Sequence, residues 1–593
     1  MLLFSILKKL QNQNSLAYFN LGVQVASRSS GPKRKKQYCP FCNKQQSRLS
    51  RHILTHKEEH EVNKYIACSD QLIKSKMMAK FRNLGNHIHN VKTINMGKGE
   101  LNVVYRPENK CDLSRYVPCS YCYGYYSKPD LWRHVLRCPM NNSPTKAKGQ
   151  RHVAKGKLLF PIKKCSNKLR EVLATMNDGP VSAKVRNDPL LMKLGEELVL
   201  KHAHDRHQFQ HIRSVLRELG RLLLCSKAQS MEDLIDPGQF RRVITSAKTL
   251  AGFDAETNSF KVPSLVLSLS ASLKKCAALL EADAMQRYET SLCQRAQNFG
   301  RLIATRWTIE LAANARRTLQ ESKRNKVKLL PLTADIQLLS AHLKHKISYY
   351  RATLQQCNTD TTAYDNLKKS LLAMLILFNR RRSGEMSRMT LSEYYGVHTS
   401  SAAMQDDIGL TEMEKSLSQC LRRVEIRGKR GRNVPVLLTK LMSESLDLLV
   451  TCRESAGVSR ENKYIFSNNS PDGCIRGCDV LREFSMACGA SNPETLRSTR
   501  LRKHIATITQ IANLKRNELD MLAKFMGHDV EIHREFYRLP EETTQLAKVS
   551  KLLYALDTGK VSSLVGKKLS EIEIDPNEEV EGKDKYKIQI ENC

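Results

Sequence analysis

The chain has 593 residues, room for three or four domains, and at 41% hydrophobic it can bury ordinary cores. Its 97 Lys and Arg against 59 Asp and Glu leave a formal net charge of +38. Such an excess describes a partner rather than a fold: nucleic acid first, an anionic membrane surface as the alternative. No apolar run approaches the roughly 18 residues that span a bilayer, so the chain reads as soluble. Its 18 cysteines, several at metal-ligand spacing and with no convincing secretory signal, fit a reducing compartment better than a disulfide scaffold.

Residues 1–30 contain no acidic residue. A disordered, unassigned start is the first expectation and a mitochondrial transit signal the alternative. The basic run 31–36 is a solvated charge run, a nuclear import signal or a phosphate contact. Then Cys39, Cys42, His52 and His56 follow as C-x2-C-x9-H-x3-H. A C-x2-C turn supplies two soft ligands, and histidines four apart on one helix face supply two more, the tetrahedral set that structural Zn2+ takes. A second copy, Cys119, Cys122, His134 and Cys138, is spaced C-x2-C-x11-H-x3-C. Leu49 and Leu131 each stand three residues before the first ligand histidine of their copy. Residues 31–142 therefore read as a zinc-finger-like region with two modules. Cys68, His87, His89 and Cys111 between them lack paired spacing and read as ordinary residues.

Residues 143–190, basic and weakly periodic, are expected to be a linker. Phe209, Ile212, Leu216, Leu219 and Leu223 then recur at helical steps, and 191–325 reads as an all-helical domain, with His204, His207 and His211 as a polar stripe on one helix. From 328 to 557 helices again dominate around one clear hairpin, 421–439, in which Val424 and Ile426 alternate with polar neighbours and Gly428–Gly431 makes the turn. Residues 558–593 are expected to be an acidic disordered tail.

Three stretches of the last domain are distinctive: Phe378-Asn-Arg-Arg-Arg382-Ser-Gly-Glu385, the hairpin Arg427-Gly428-Lys429, and residues 495–540, where Arg502 lies in L-R-K-H-I-A-T, Gly527-His528 ends a second helical run and Tyr537 follows nine residues later. In this order and spacing they resemble the tyrosine recombinase (phage integrase) family. The wording from 496 onward is most similar to animal proteins derived from Crypton-type transposons, which often carry zinc-finger-like segments. The resemblance covers roughly 328–557. It implies a mainly α chain with a small β-hairpin (α+β): zinc-finger modules, a helical core-binding-like domain and a catalytic domain.

It also implies roles. Arg382 and Arg502 would hold the phosphate, Glu385 would support Arg382, Lys429 would be the general acid, His528 would hydrogen-bond the phosphate and Tyr537 would be the nucleophile. The chemistry suits these residue types. Guanidinium groups keep their charge and bind phosphate oxygens bidentately, and a tyrosyl ester preserves the bond energy for rejoining. No metal is needed there, so zinc in the modules is the cofactor expected. The partners expected are double-stranded DNA and further copies of the chain on that DNA, with neither a membrane nor a small-molecule substrate. Leu546, Val549, Leu553 and Leu556 form an apolar face that could dock on a neighbouring copy or on its own domain. One residue departs from the pattern: Thr499 stands where the family commonly has a histidine or lysine. Two readings follow, a recombinase acting in DNA recombination or integration, and a domesticated DNA-binding protein of weak or lost activity. The nucleus is the expected compartment, the mitochondrion the alternative.

Overall fold

Helices carry most of the described chain, and the sheets are small: one of three strands and four two-stranded pairs among the described residues. The computed structural model describes residues 22–25, 27–28, 36–141, 149–160, 165–324, 330–396, 411–428, 431–468, 470, 472–511 and 516–526. The chain divides into two units, Met1–Val327 and Lys328–Cys593. No described helix is long and apolar enough to cross a membrane.

In the first unit, β1 (Gly22–Val25) is the middle strand of the three-stranded sheet, and the alternation of a strand turns Val23 and Val25 inward. This corrects the expectation of disorder for those four residues; a V-x-V pair is too short to stand out as a pattern. Two small modules follow. One is built from β2 (Gln37–Tyr38), β3 (Gln45–Gln46) and α1 (Leu49–Ile53). Between the modules runs a 26-residue helix, α2 (Gln71–Met96), and then β4 (Lys98–Leu101) and β5 (Cys111–Asp112), which flank β1 in the sheet. The second module has β6 (Tyr116–Pro118), β7 (Tyr125–Ser127) and α3 (Leu131–Arg137).

Helix α2 holds both modules. Asp70 caps its start, accepting from the backbone N–H groups of Leu72 at 2.7 Å and Ile73 at 3.2 Å, and left-handed Gly97 closes its end. Met78, Phe81, Leu84, Ile88, Val91 and Ile94 line its buried face at steps of three and four. On the first module, Tyr38 donates its N–H to Asn86 Oδ1 at 3.2 Å and stacks its ring on His89 at 3.7 Å. A Cβ on Gly85 would lie 1.9 Å from the Tyr38 carbonyl oxygen, so only glycine permits this approach. On the second module, His87 Nδ1 lies 3.2 Å from the Tyr125 hydroxyl; burial pushes its pKa down to about 4 and keeps the imidazole neutral. His87 and His89 are therefore packing residues.

The expected linker, 143–190, is instead folded where it is described. Helices α4 (Gly149–Lys157), α5 (Asn167–Ala174) and α6 (Pro180–Asn187) occupy it, and Leu169, Val172, Leu173, Met176 and Val185 belong to the core of the helical region. The basic residues that suggested a solvated linker are partly inside: Lys157 and Arg186 are buried and converge, with Lys128 of the second module, on Asp178. Helices of eight or nine residues are also too short to show a clear period. The core continues through α7 (Pro189–His202), α8 (Phe209–Cys225), α9 (Phe240–Ala251), α10 (Pro263–Gln286) and α11 (Thr290–Trp307). Phe209, Ile212, Leu216, Leu219 and Leu223 are all buried on α8. Of the expected histidine stripe only His211 is on that helix, which begins at Phe209.

In the second unit, α13 (Thr361–Asn379) carries an unbroken buried run, Leu371–Leu377, so that this stretch is enclosed on all faces, while Asp365 and Phe378 are exposed. Around it lie α12 (Thr333–Gln356), α15 (Lys440–Thr451) and α16 (Gly477–Ala487). The hairpin β8 (Arg422–Arg427) and β9 (Asn433–Leu438) turns Val424, Ile426, Val434, Val436 and Leu438 into the same core.

The junction at Asp178 provides a test. Burial alone would raise its carboxyl pKa, but the hydrogen bond and charge of Lys128, with Lys157, hold it below the usual range. Asp178→Asn leaves Lys157 and Arg186 buried without their counter-ion, and is expected to cost about 3–5 kcal/mol in denaturant unfolding. A depressed carboxylate contributes stability above its unfolded pKa, about 3.9, which is lost as pH falls through the folded value. The wild type should therefore lose more stability than the variant between pH 5 and the acid limit.

Candidate functional site

The two modules share one local construction. In the first, Asn43, directly after Cys42, is left-handed, the Cys39 N–H donates to the Lys44 carbonyl at 3.1 Å, and the Asn43 N–H donates to Cys39 at 3.0 Å. In the second, Tyr123 is left-handed after Cys122, and the corresponding bonds are Cys119 to Gly124 at 2.8 Å and Tyr123 to Cys119 at 2.9 Å. The turn aims both sulfurs to one side; a short helix carries His52 or His134, and the chain just past its end supplies His56 or Cys138, so His52 and His56 do not share one helix face as expected: that helix ends at Ile53. Leu49 and Leu131 are buried beneath.

Cys39, Cys42, His52 and His56 offer ligand atoms all within 4.8 Å of one another, as do Cys119, Cys122, His134 and Cys138. Cys39 Sγ lies 3.4 Å from His56 Nε2, Cys42 Sγ 3.2 Å from His52 Nε2, and the two Nε2 atoms are 3.2 Å apart. Cys122 Sγ lies 3.3 Å from His134 Nε2. A tetrahedral ion with bonds of about 2.0–2.3 Å has edges of about 3.3–3.8 Å, so both sets fit a four-coordinate metal. All seven cysteines from Cys39 to Cys138 are free thiols rather than disulfides. Burial, with the charges of His56 and Lys44, pushes the His52 pKa down and favours the neutral imidazole that binds metal.

The second centre is built at the end of α13. Asn379 is locked to β9: its Nδ2 donates to the Leu437 carbonyl at 2.9 Å and its Oδ1 accepts from the Leu437 N–H at 2.8 Å. Arg380 then takes a left-handed φ of 52° and turns the chain. Arg381 is buried, donates to the Pro435 carbonyl and lays its guanidinium 4.4 Å from the centre of the Phe525 ring. Arg382 starts α14 (Ser383–Ser387) and donates from Nη1 to Glu385 Oε1 at 2.9 Å. The Arg382 side chain is 33% exposed and Glu385 only 3%, so the acid holds the arginine from beneath and leaves part of it to solvent.

Arg502 comes from α17 (Ser498–Ile511) and is buried. Its Nη2 donates to the carbonyl of Met526, the last residue of α18 (Arg516–Met526), at 3.4 Å. Arg381 feels the charge of both Arg382 and Arg502. Burial pushes its pKa down to about 10; Glu385 works against that, while Arg502 and Arg382 add to it by repulsion. It remains charged at neutral pH. Arg381 thus feels two positive neighbours and one buried carboxylate.

The described residues therefore pair Arg382 with Glu385 and set Arg381 under the charge of Arg382 and Arg502. Thr499 is exposed on α17, three residues before Arg502. Lys429, His528 and Tyr537 lie outside the described residues, as do the apolar positions 546–556. The hairpin around Lys429 is described on both sides, with the Gly428 N–H donating to the Arg432 carbonyl at 2.8 Å, and Met526 stands two residues before His528. Sequence reasoning did not separate Arg381 from its neighbours in the arginine run. It also missed Asp335, buried at the start of α12, whose two oxygens accept from the backbone of Ser491 at 2.8 Å and Asn492 at 3.0 Å and pin the loop that leads to Arg502. Nothing in the local sequence marks that aspartate. His504 is half-buried and faces the charge of Arg380; burial first and that charge second push its pKa down.

No family model and no curated protein matches this chain. Among solved structures it is similar to the XerH site-specific recombinase bound to palindromic difH substrate in a post-cleavage complex and to the same recombinase bound to difH in a pre-cleavage complex. Each is 13% identical with a TM-score of 0.30, covering 64% of this chain and 98% or 97% of the recombinase. Each is a likeness and no more, and the site has to be read from its own residues.

Metal analysis of the purified protein should give two ions per chain. Cys42→Ser and Cys122→Ser should each remove one, and each should lower the melting temperature; chelation should destabilise the wild type further than either variant alone.

Proposed function

We propose that the chain is a DNA-binding protein of the tyrosine recombinase type that cuts and rejoins strands through a 3′-phosphotyrosine. The observation that carries the reading is the paired arginine centre: Arg382 held by Glu385, and Arg502 on α17 bonded to Met526, two residues before His528, with Arg381 under the charge of both arginines. Two fixed positive groups there suit a phosphodiester whose non-bridging oxygens gain charge during attack. Tyr537 attacks phosphorus and its proton leaves to water or to His504, which is kept neutral. Lys429 protonates the departing 5′ oxygen and His528 hydrogen-bonds the phosphate.

The metal in the modules is proposed to be zinc, held by Cys39, Cys42, His52 and His56 and by Cys119, Cys122, His134 and Cys138. It supplies fold stability and no chemistry at the arginine centre. The wording around Arg502 supports descent from a Crypton-type element, and self-association on double-stranded DNA would follow the family. We place the protein in the nucleus: a transit peptide cleaved near residue 30 would remove the middle strand of the three-stranded sheet.

Thr499 favours a second reading, a protein that grips DNA without cutting it. Its hydroxyl is a poor proton acceptor, and it is exposed. Covalent trapping separates the two. The protein is mixed with random-sequence duplexes nicked so that religation is blocked, and adducts are sought under denaturing conditions. The expected outcome is an adduct from the wild type and none from Tyr537→Phe; salt-sensitive binding by both proteins with no adduct from either would leave the binding-only reading.

A further inference from the structure

We propose that the cleft beside the second metal module binds unpaired nucleotides of a nucleic-acid strand, a function separate from strand cleavage. The cleft is about 580 Å3 and is lined by Tyr105, Tyr116, Tyr126, Arg106, Arg133 and Arg137. Asp130 is the one acidic residue among those lining it, and its contact with Arg133, 3.3 Å between groups that are both well exposed, is weak. The floor is rigid. The Tyr126 ring stacks on the ligand His134 at 3.7 Å and 15°, and the Tyr116 hydroxyl donates to the Tyr105 carbonyl at 3.3 Å.

Two exposed aromatic groups distinguish this cleft from an ordinary basic patch: Tyr105 in its lining and Trp132 beside the lining residue Arg133. Tyr105 is 70% exposed although its backbone is anchored, and on α3 Trp132 is 42% exposed with the Arg133 guanidinium 5.4 Å from its ring. Trp132, Arg133, Leu136 and Arg137 make one exposed strip of that helix. Backbone phosphates alone would be served by arginines. An exposed tyrosine and tryptophan beside three arginines provide stacking faces as well, and a base can use them only when it is not enclosed in a duplex. Each stacked base adds affinity without demanding a sequence.

The chain has two tryptophans, and Trp307 is buried in the helical core, so a change in emission on binding reports Trp132. The test uses the full-length Tyr537→Phe protein, which keeps strand cleavage out of the experiment. Binding of (dT)12, (rU)12 and a 12-base-pair duplex is followed by anisotropy and by tryptophan emission together. The expected result is quenching by one or both single strands and little by duplex; whichever strand binds tighter names DNA or RNA as the source. Tyr105→Ala should weaken single-strand binding about tenfold. Arg133→Ala should lower the slope of log affinity against log salt by about 0.7, and Trp132→Phe should abolish the quench while binding persists. Binding of single strands with no change in emission, equal quenching by duplex, or unchanged affinity in both Tyr105→Ala and Arg133→Ala would overturn the proposal.

Discussion

Arg381 is buried under the charges of Arg382 and Arg502, with one buried carboxylate, Glu385, to offset them. Arg381 and Arg502 are themselves buried, and desolvated like charges repel strongly. The second unit answers that cost with apolar structure. Helix α13, with its buried run Leu371–Leu377, ends at the centre, and Asn379 fixes its last turn to β9 by two hydrogen bonds. Phe525 lies against Arg381, and the left-handed Arg380 redirects the chain so that Arg382 starts the next helix with Glu385 beneath it. A centre built for stability alone would place apolar residues here. Perturbed, crowded ionisable groups of this kind are where function is commonly found.

The first unit faces a different constraint. Two modules with few apolar residues of their own must be held at a fixed spacing. Each gathers a compact set of four candidate metal ligands, and helix α2 supplies the shared surface, with Gly85 allowing one module to lie against it and His87 bonding to the other. The buried ions around Asp178 then tie the second module to the helical core. Surplus positive charge again collects around a single acid, here in a role that is structural.

Much of this was legible in the sequence because it is carried by spacing. The eight metal-ligand candidates form two compact sets, the α8 face is buried as its period required, and the hairpin turns the expected valines and isoleucine inward. What was not legible depends on partners far away in sequence. Residues 143–190 looked like a linker because lysines and arginines usually stay in water, and Asp178 was invisible as their partner. Helix α2 was missed because its polar residues face protein rather than solvent: Asn86 and His87 bond to the modules, and His89 stacks on Tyr38 and bonds to the Glu100 carbonyl of β4. Within the arginine run, sequence could not tell Arg381, which is buried on Phe525, from Arg382, which reaches solvent. The roles of Lys429, His528 and Tyr537 rest on resemblance alone.

The central claim is that Arg382 and Arg502 hold the same phosphate. The direct measurement is a double-mutant cycle on duplex binding, with wild type, Arg382→Gln, Arg502→Gln and the double variant compared at several salt concentrations. If one phosphate is shared, each single change weakens binding and the double change costs less than their sum, by a coupling of about 1 kcal/mol, with the salt slope falling by about 0.9 once rather than twice. Additive losses, or duplex binding indifferent to both changes, would contradict the account.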